Sequence, residues 1–248
     1  MATTPATIDS PQTTKPPLIA PRWHTIILVA VLLLVSFSSA QRHQQLTGRQ
    51  NHIPLYVLTM GWQYAMLGYV YWGVRRRGGK LRDLIGGRWN ELEDFLIDVG
   101  IAALYWIVSA GVLAGLLYAF GFSDPAKLRE AKKTIEVLVP QTRLEVILWI
   151  FVSITAGFCE EIIFRGYLLR QFAALSGSIT MGVIGQALLF GLGHGYQGPE
   201  RMFAIAVWGS MFGGLALWRK SLRPGMMTHT FHDTLSGLLG RFAVGIMR

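Results

Sequence analysis

Three places in the second half of the chain set polar side chains inside apolar runs: Glu160-Glu161-x-x-x-Arg165, Phe190-x-x-x-His194 and His229-x-x-x-Asp233. The first of them closes an apolar run from Leu144 to Ala156. A charge near the centre of a bilayer costs roughly 2.5–3.5 kcal/mol, so Glu160, Glu161 and Arg165 would together cost on the order of 8–10 kcal/mol if left unpaired. Glu161 and Arg165 are four apart, share a helical face and can form an ion pair, whereas Glu160 points about 100° away and is left over. Charges at a helix end could instead snorkel into the headgroups. The two histidine motifs further along give Glu160 a different use.

A carboxylate with one or two histidines suits hydrolysis. When buried it is more basic than in water, so it can take a proton from a water molecule and later hand it to a leaving amine. Histidine can position that water, bind a metal or donate to a developing oxyanion. Phe190 and His194 lie on one helix face, so the ring can wall the site beside the imidazole. His229 and Asp233 likewise point into one space, where the carboxylate can orient the imidazole; His232 adds a second imidazole on the same helix. Glu160, His194 and His229 also approach a catalytic zinc site, three protein ligands with one open position. Residue types and spacing leave zinc chemistry and metal-free glutamate chemistry both open. The single cysteine, Cys159, excludes an intrachain disulfide framework and reads as a small buried hydrophobe rather than a nucleophile.

To meet, these groups need helices that cross one bilayer together. Of 248 residues 52% are hydrophobic and only 15% charged, the profile of a polytopic membrane protein. The net charge of +9 falls mostly between apolar runs, where it orients helices and meets anionic lipid, so the partner it implies is the bilayer and not nucleic acid. The expected fold is all-α, a membrane helical bundle of about seven transmembrane helices, six to eight. Their approximate spans are 25–40, 53–74, 95–120, 144–169, 179–194, 202–218 and 226–246. Residues 1–24 read as a disordered tail rich in Thr and Pro, 25–142 as N-terminal helices with a charged connector, and 143–248 as the domain that carries the chemistry.

Arg75-Arg76-Arg77 is the strongest cytoplasmic marker; counting spans from it places the Arg219–Arg223 loop and the N-terminus on the same side. The connector 123–143 would then face outwards despite its five Lys and Arg. Either a short span is misassigned or the connector is an amphipathic helix lying along the surface. Gly209 and Gly213 form a Gly-x-x-x-Gly face that lets helix backbones approach closely.

In that order on successive hydrophobic segments, the three motifs resemble those of the CPBP family of intramembrane proteases, which includes CAAX prenyl protease 2 and bacteriocin-processing or immunity proteins. The similarity covers roughly residues 143–240. It implies a membrane-embedded endopeptidase, of metallo or glutamic type, in an integral multi-pass membrane protein of the plasma (inner) membrane. Its substrate would be a membrane-associated or secreted peptide or protein. On the same resemblance Glu160 is the base that activates water, with His194 beside it; His229 and Asp233 stabilise the oxyanion or complete the site, and Glu161 with Arg165 forms a structural pair. Two other readings stand beside it: a non-catalytic immunity or scaffold protein, which has no need of Glu160, His194 and His229 together, and a small transporter, against which the halves of the chain show no inverted repeat.

Overall fold

Apolar runs of bilayer length separated by short polar turns can satisfy their backbone groups in lipid only as helices. A computed structural model of the protein describes residues 16–45 and 51–246, and among them all regular structure is helical. Helices α1 (Arg22–Gln45), α2 (Ile53–Arg75), α3 (Leu81–Ile85), α4 (Leu92–Ala119) and α5 (Pro125–Glu136) make up the first half. The second half has α6 (Arg143–Glu160), a π-helical segment (Glu161–Leu168), α7 (Leu169–Ser176), α8 (Ile179–Leu192), a short turn (Gly195–Gln197), α9 (Pro199–Arg219) and α10 (Arg223–Ile246).

Each of the seven expected spans coincides with one of these helices, the fourth being the continuous run from α6 through α7. Four are long and apolar enough to cross a membrane: Arg22–Gln41, Leu92–Ala119, Arg143–Ser176 and Pro199–Arg219. The chain is thus an all-α integral membrane bundle. The other three fall short for physical reasons. At 14 residues α8 spans only about 21 Å, less than a hydrocarbon core of about 30 Å. In α2 the run is diluted by Tyr, Trp and Gln, and in α10 by His229, His232, Asp233 and Arg241.

Local signals set the helix ends. Thr142 caps α6 by accepting from the Glu145 backbone N–H at 3.2 Å, while the Glu145 carboxylate reaches back to the N–H groups of Thr142 (2.9 Å), Gln141 (2.7 Å) and His52 (3.1 Å). Gly177, at φ +76°, ends α7 in the left-handed conformation that a side chain would resist, and Ser178 caps α8 through the Met181 N–H. Glu160 stands sixteen residues before Ser176, and His194 sixteen after Ser178. The α6–α8 hairpin therefore returns the two groups to the same depth.

The basic loops expected on one side do lie together. Leu222 N–H donates to the Ile85 carbonyl at 2.8 Å, Arg223 to Gly86 at 2.6 Å, and Arg170 to Asp83 at 2.8 Å. Arg219 pairs with buried Asp98 at 3.0 Å, and Arg76 stands over the Trp72 ring. At the opposite end the charged connector forms α5, with Ala131 buried and Lys127 reaching Glu200, which is the amphipathic alternative of the two expected. Most of the expected disordered tail lies outside the described residues. Its last part departs from that expectation: Ile19 and buried Ala20 donate to Gln171 Oε1, and buried His24 bridges the Tyr167 hydroxyl and the Tyr69 carbonyl. A Pro-rich sequence hides these anchors because they are made to residues 45 to 152 positions away.

Helix α10 sits against α6 at van der Waals limit. A side chain at Gly157 would collide with Thr230 Oγ1 and stand 2.8 Å from the Met226 carbonyl. Gly157→Leu is accordingly expected to cost about 1–3 kcal/mol through overpacking, read as a lowered midpoint of thermal unfolding in detergent. Gly100→Ala on α4, with open space around it, leaves that midpoint unchanged or slightly raised.

Candidate active site

The π-helical segment begins immediately after Glu160. Its i→i+5 hydrogen bonds widen the helix, a distortion that tends to occur at functional sites. All eight of its residues, Glu161 to Leu168, are buried. Within it the expected pair is formed: Arg165 Nη1 lies 3.0 Å from Glu161 Oε1, with both side chains at 0–1% exposure. Such a pair survives burial only when other groups share the charges. The Gly209 carbonyl accepts from Arg165 Nη2 at 3.3 Å, and the guanidinium lies 4.3 Å from the Phe190 ring centroid and 5.3 Å from that of Phe212. Gly209 allows this contact, since a side chain there would press on Phe190 and Arg165. The Gly-x-x-x-Gly face thus serves the site as well as the packing of α9 on α8.

On the other side of Glu161 is His229. Its Nδ1–H donates to Glu161 Oε1 at 3.0 Å, a direction set by the carboxylate, which can only accept. This leaves Nε2 facing the site, 3.5 Å from Asp233 Oδ2 and 3.8 Å from Glu160 Oε2. The ring is wedged edge-on between Trp208 and Phe212 and is 3% exposed. Asp233 is the more open partner, and its backbone carbonyl accepts from Trp149 Nε1 at 2.9 Å, which fixes α10 in rotation against α6.

Glu160 points away from Glu161, as helical spacing requires, and is the exposed member of the pair at 21% against 1%. Its Oε1 accepts from Gln63 Nε2 on α2 at 2.9 Å. His194 lies just beyond α8, where its Nδ1–H donates to the Phe190 carbonyl at 2.9 Å, leaving Nε2 free. Its ring packs on Phe190 at 4.9 Å, and Phe190 in turn meets His229 at 6.0 Å. The structure therefore brings Glu160, Glu161, Arg165, His229 and Asp233 into one contact set. Phe190 is its wall, and His194 joins through that wall.

Zinc was the other chemistry left open for Glu160, His194 and His229. Among the described residues no group of three or more His, Cys, Asp and Glu is placed to hold a metal ion. Each imidazole has its Nδ1 engaged by a carboxylate or a backbone carbonyl, which leaves Nε2 as the atom through which either ring would act on water or a metal. Cys159 is fully buried beside Glu160, as expected of a small core residue.

Three neighbours were not singled out from sequence. Trp149 and Trp208 looked like ordinary membrane tryptophans. Gln63 carried a readable signal: it is the one amide among the inward positions Tyr56, Leu67, Val70 and Val74 of α2.

Residues 142–235 match the family model described as type II CAAX prenyl endopeptidase Rce1-like. The match contains Glu160, Glu161, Arg165, Phe190, His194, His229 and Asp233, and stops short of the first half of the chain. No curated protein and no solved structure matches this chain.

The Glu161–Arg165 contact makes a direct stability prediction. Arg165→Met leaves Glu161 buried with one partner fewer and is expected to destabilise by about 3–5 kcal/mol, whereas the double variant Arg165→Met with Glu161→Gln regains part of that loss. Unfolding midpoints of the four proteins in one detergent, combined as a double-mutant cycle, measure the coupling.

Proposed function

We propose that this protein is an intramembrane endopeptidase in which Glu160 activates water for attack on a peptide bond of a membrane-associated peptide or protein. The observation that carries the reading is the division of labour between two adjacent glutamates. Glu161 is consumed by Arg165 and His229, while Glu160 keeps one carboxylate oxygen turned toward the partly open space beside His229 and Asp233. A purely structural site has no reason to leave a carboxylate in that position. The segment's family, described as CAAX prenyl endopeptidases, supports the same reaction class.

In this mechanism Glu160 Oε2 takes one proton from a water molecule as its oxygen bonds to the carbonyl carbon of the substrate. The carbonyl oxygen becomes an oxyanion. His229, locked by Glu161 so that only Nε2 faces the site, is oriented to donate to that oxygen when it carries a proton there, and His194, whose Nδ1 is held by the Phe190 carbonyl, lies within electrostatic reach of both Glu160 and His229. Collapse of the tetrahedral species breaks the C–N bond, and Glu160 returns its proton to the departing amine. Asp233 holds the His229 ring at Nε2 and completes the site, a role for which a carboxylate is suited without having to act as an oxyanion donor. Zinc held by Glu160, His194 and His229 is the alternative chemistry.

The location that fits this reading is the plasma (inner) membrane, with the basic ends of the bundle in the cytoplasm. Substrates would reach Glu160 from the bilayer. A farnesylated peptide ending in Cys-aliphatic-aliphatic-X is the first probe, chosen from the family description, beside an unprenylated peptide library.

With the detergent-purified chain, Glu160→Ala is expected to lower kcat about 10²–10⁴-fold with the unfolding midpoint preserved, and His194→Ala to lower it comparably. Equal cleavage by wild type and Glu160→Ala would overturn the glutamate mechanism. Activity that survives a chelator supports metal-free chemistry, and activity abolished by the chelator and restored by zinc supports the alternative. A phenotype in cells that persists in Glu160→Ala favours the immunity or scaffold reading.

A further inference from the structure

Gln63 lies in the part of the chain that the family model does not reach. It is 6% exposed and occupies the inward stripe of α2, with Tyr56 two turns before it and Leu67, Val70 and Val74 after it, all buried. An amide in such a stripe needs a reason, since a buried polar group without partners costs stability that Leu or Met would not forfeit. Half of the reason is visible. Nε2 donates to Glu160 Oε1 at 2.9 Å, whereas Oε1 of the same amide is buried with no hydrogen-bond partner among the described residues. The amide is therefore held for what its nitrogen does, at the expense of its oxygen.

We infer that Gln63 is a positioning residue for Glu160, so that the site read from α6–α10 is completed by a side chain from α2. This rests on the reading of Glu160 as the base. The geometry states the consequence. With Oε1 occupied by Gln63, the carboxylate cannot rotate freely about its terminal bond, and Oε2 is the oxygen presented to His229 at 3.8 Å and to an incoming water. Because α2 packs along α6 from the Tyr56–Trp149 ring contact to the Gln63–Glu160 hydrogen bond, and its next turns are tied to the π-helical segment through His24, which bridges the Tyr69 carbonyl and the Tyr167 hydroxyl, Gln63 is itself held against lateral movement. Helix α2 thereby becomes part of the catalytic unit and not only a packing element.

The role separates from a structural one because the two predict opposite effects on stability. Gln63→Leu removes a buried orphan acceptor and fills the stripe with an apolar side chain. The full-length protein carrying it is expected to unfold at the same or a higher temperature, while kcat on the farnesylated peptide falls about 10- to 100-fold and KM stays within about twofold. In Gln63→Glu the new carboxyl can donate to Glu160 only while one proton remains on the pair, so activity persists at acidic pH and disappears as pH rises. Unchanged kcat in Gln63→Leu, or a loss that tracks a lowered unfolding temperature, overturns the inference, as does a Gln63→Glu profile parallel to wild type.

Glu160→Ala measured alongside distinguishes the two levels. Full activity in that variant sinks the base itself, whereas an inactive Glu160→Ala with an unimpaired Gln63→Leu sinks only the positioning role. The contact also has a readout that needs no substrate. The infrared carboxylate band assigned to Glu160 by its absence in Glu160→Ala is expected to shift in Gln63→Leu, and an unshifted band overturns the proposal.

Discussion

The carboxylate of Glu161 is the constraint on which the rest of this bundle depends. An ionised group at about 1% exposure has to be matched on every side, and here one oxygen serves both Arg165 and His229. Arg165 then needs a carbonyl and two aromatic faces, which come from Gly209, Phe190 and Phe212. Those contacts draw α8, α9 and α10 around the π-helical segment. The close approach of α9 permitted by Gly209 and the edge-on wedge of His229 between Trp208 and Phe212 follow from the same requirement.

One consequence is that stability and chemistry are assigned to neighbouring residues of the same type. Glu161 is buried with its Oε1 shared by Arg165 and His229; Glu160, one position earlier and turned by the helical step, keeps Oε2 toward the site and partial access. The π-helix that starts between them supplies this contrast. It inserts backbone width where the pair must be buried, yet keeps Glu160 as the last residue of a regular helix. The fixed tautomer of His229 is a by-product of the structural pair, so the ion pair that holds the bundle together also orients the imidazole that faces Glu160.

Much of this was legible in the residues themselves. Seven apolar runs located seven helices because burial in lipid forces helical backbone, whatever the tertiary contacts. The spacing of Glu161 and Arg165 foretold their pairing and the isolation of Glu160, because positions four apart share a face in any helix. The same periodicity placed Asp233 beside His229. Thr142, Ser178 and Gly177 act within one turn of their own position, so their capping is local as well.

What the tertiary structure decided concerns partners distant in sequence. No periodicity could say that His229 would give its Nδ1 to Glu161, 68 positions away. Nor could it say that His194 would meet the cluster through Phe190, or that Gln171 would capture Ile19 and Ala20 from an apparently disordered tail. Gln63 is the clearest case. As the lone amide on the inward stripe of α2 it stands out in sequence, but only the packing of α2 against α6 brings its nitrogen to Glu160. By itself the sequence determined which residues are polar inside apolar helices and which of them share a face, because helical geometry is local. The choice of partner across helices was left to the fold, since it depends on how side chains of different helices interlock, and that information is written in no single stretch of the chain.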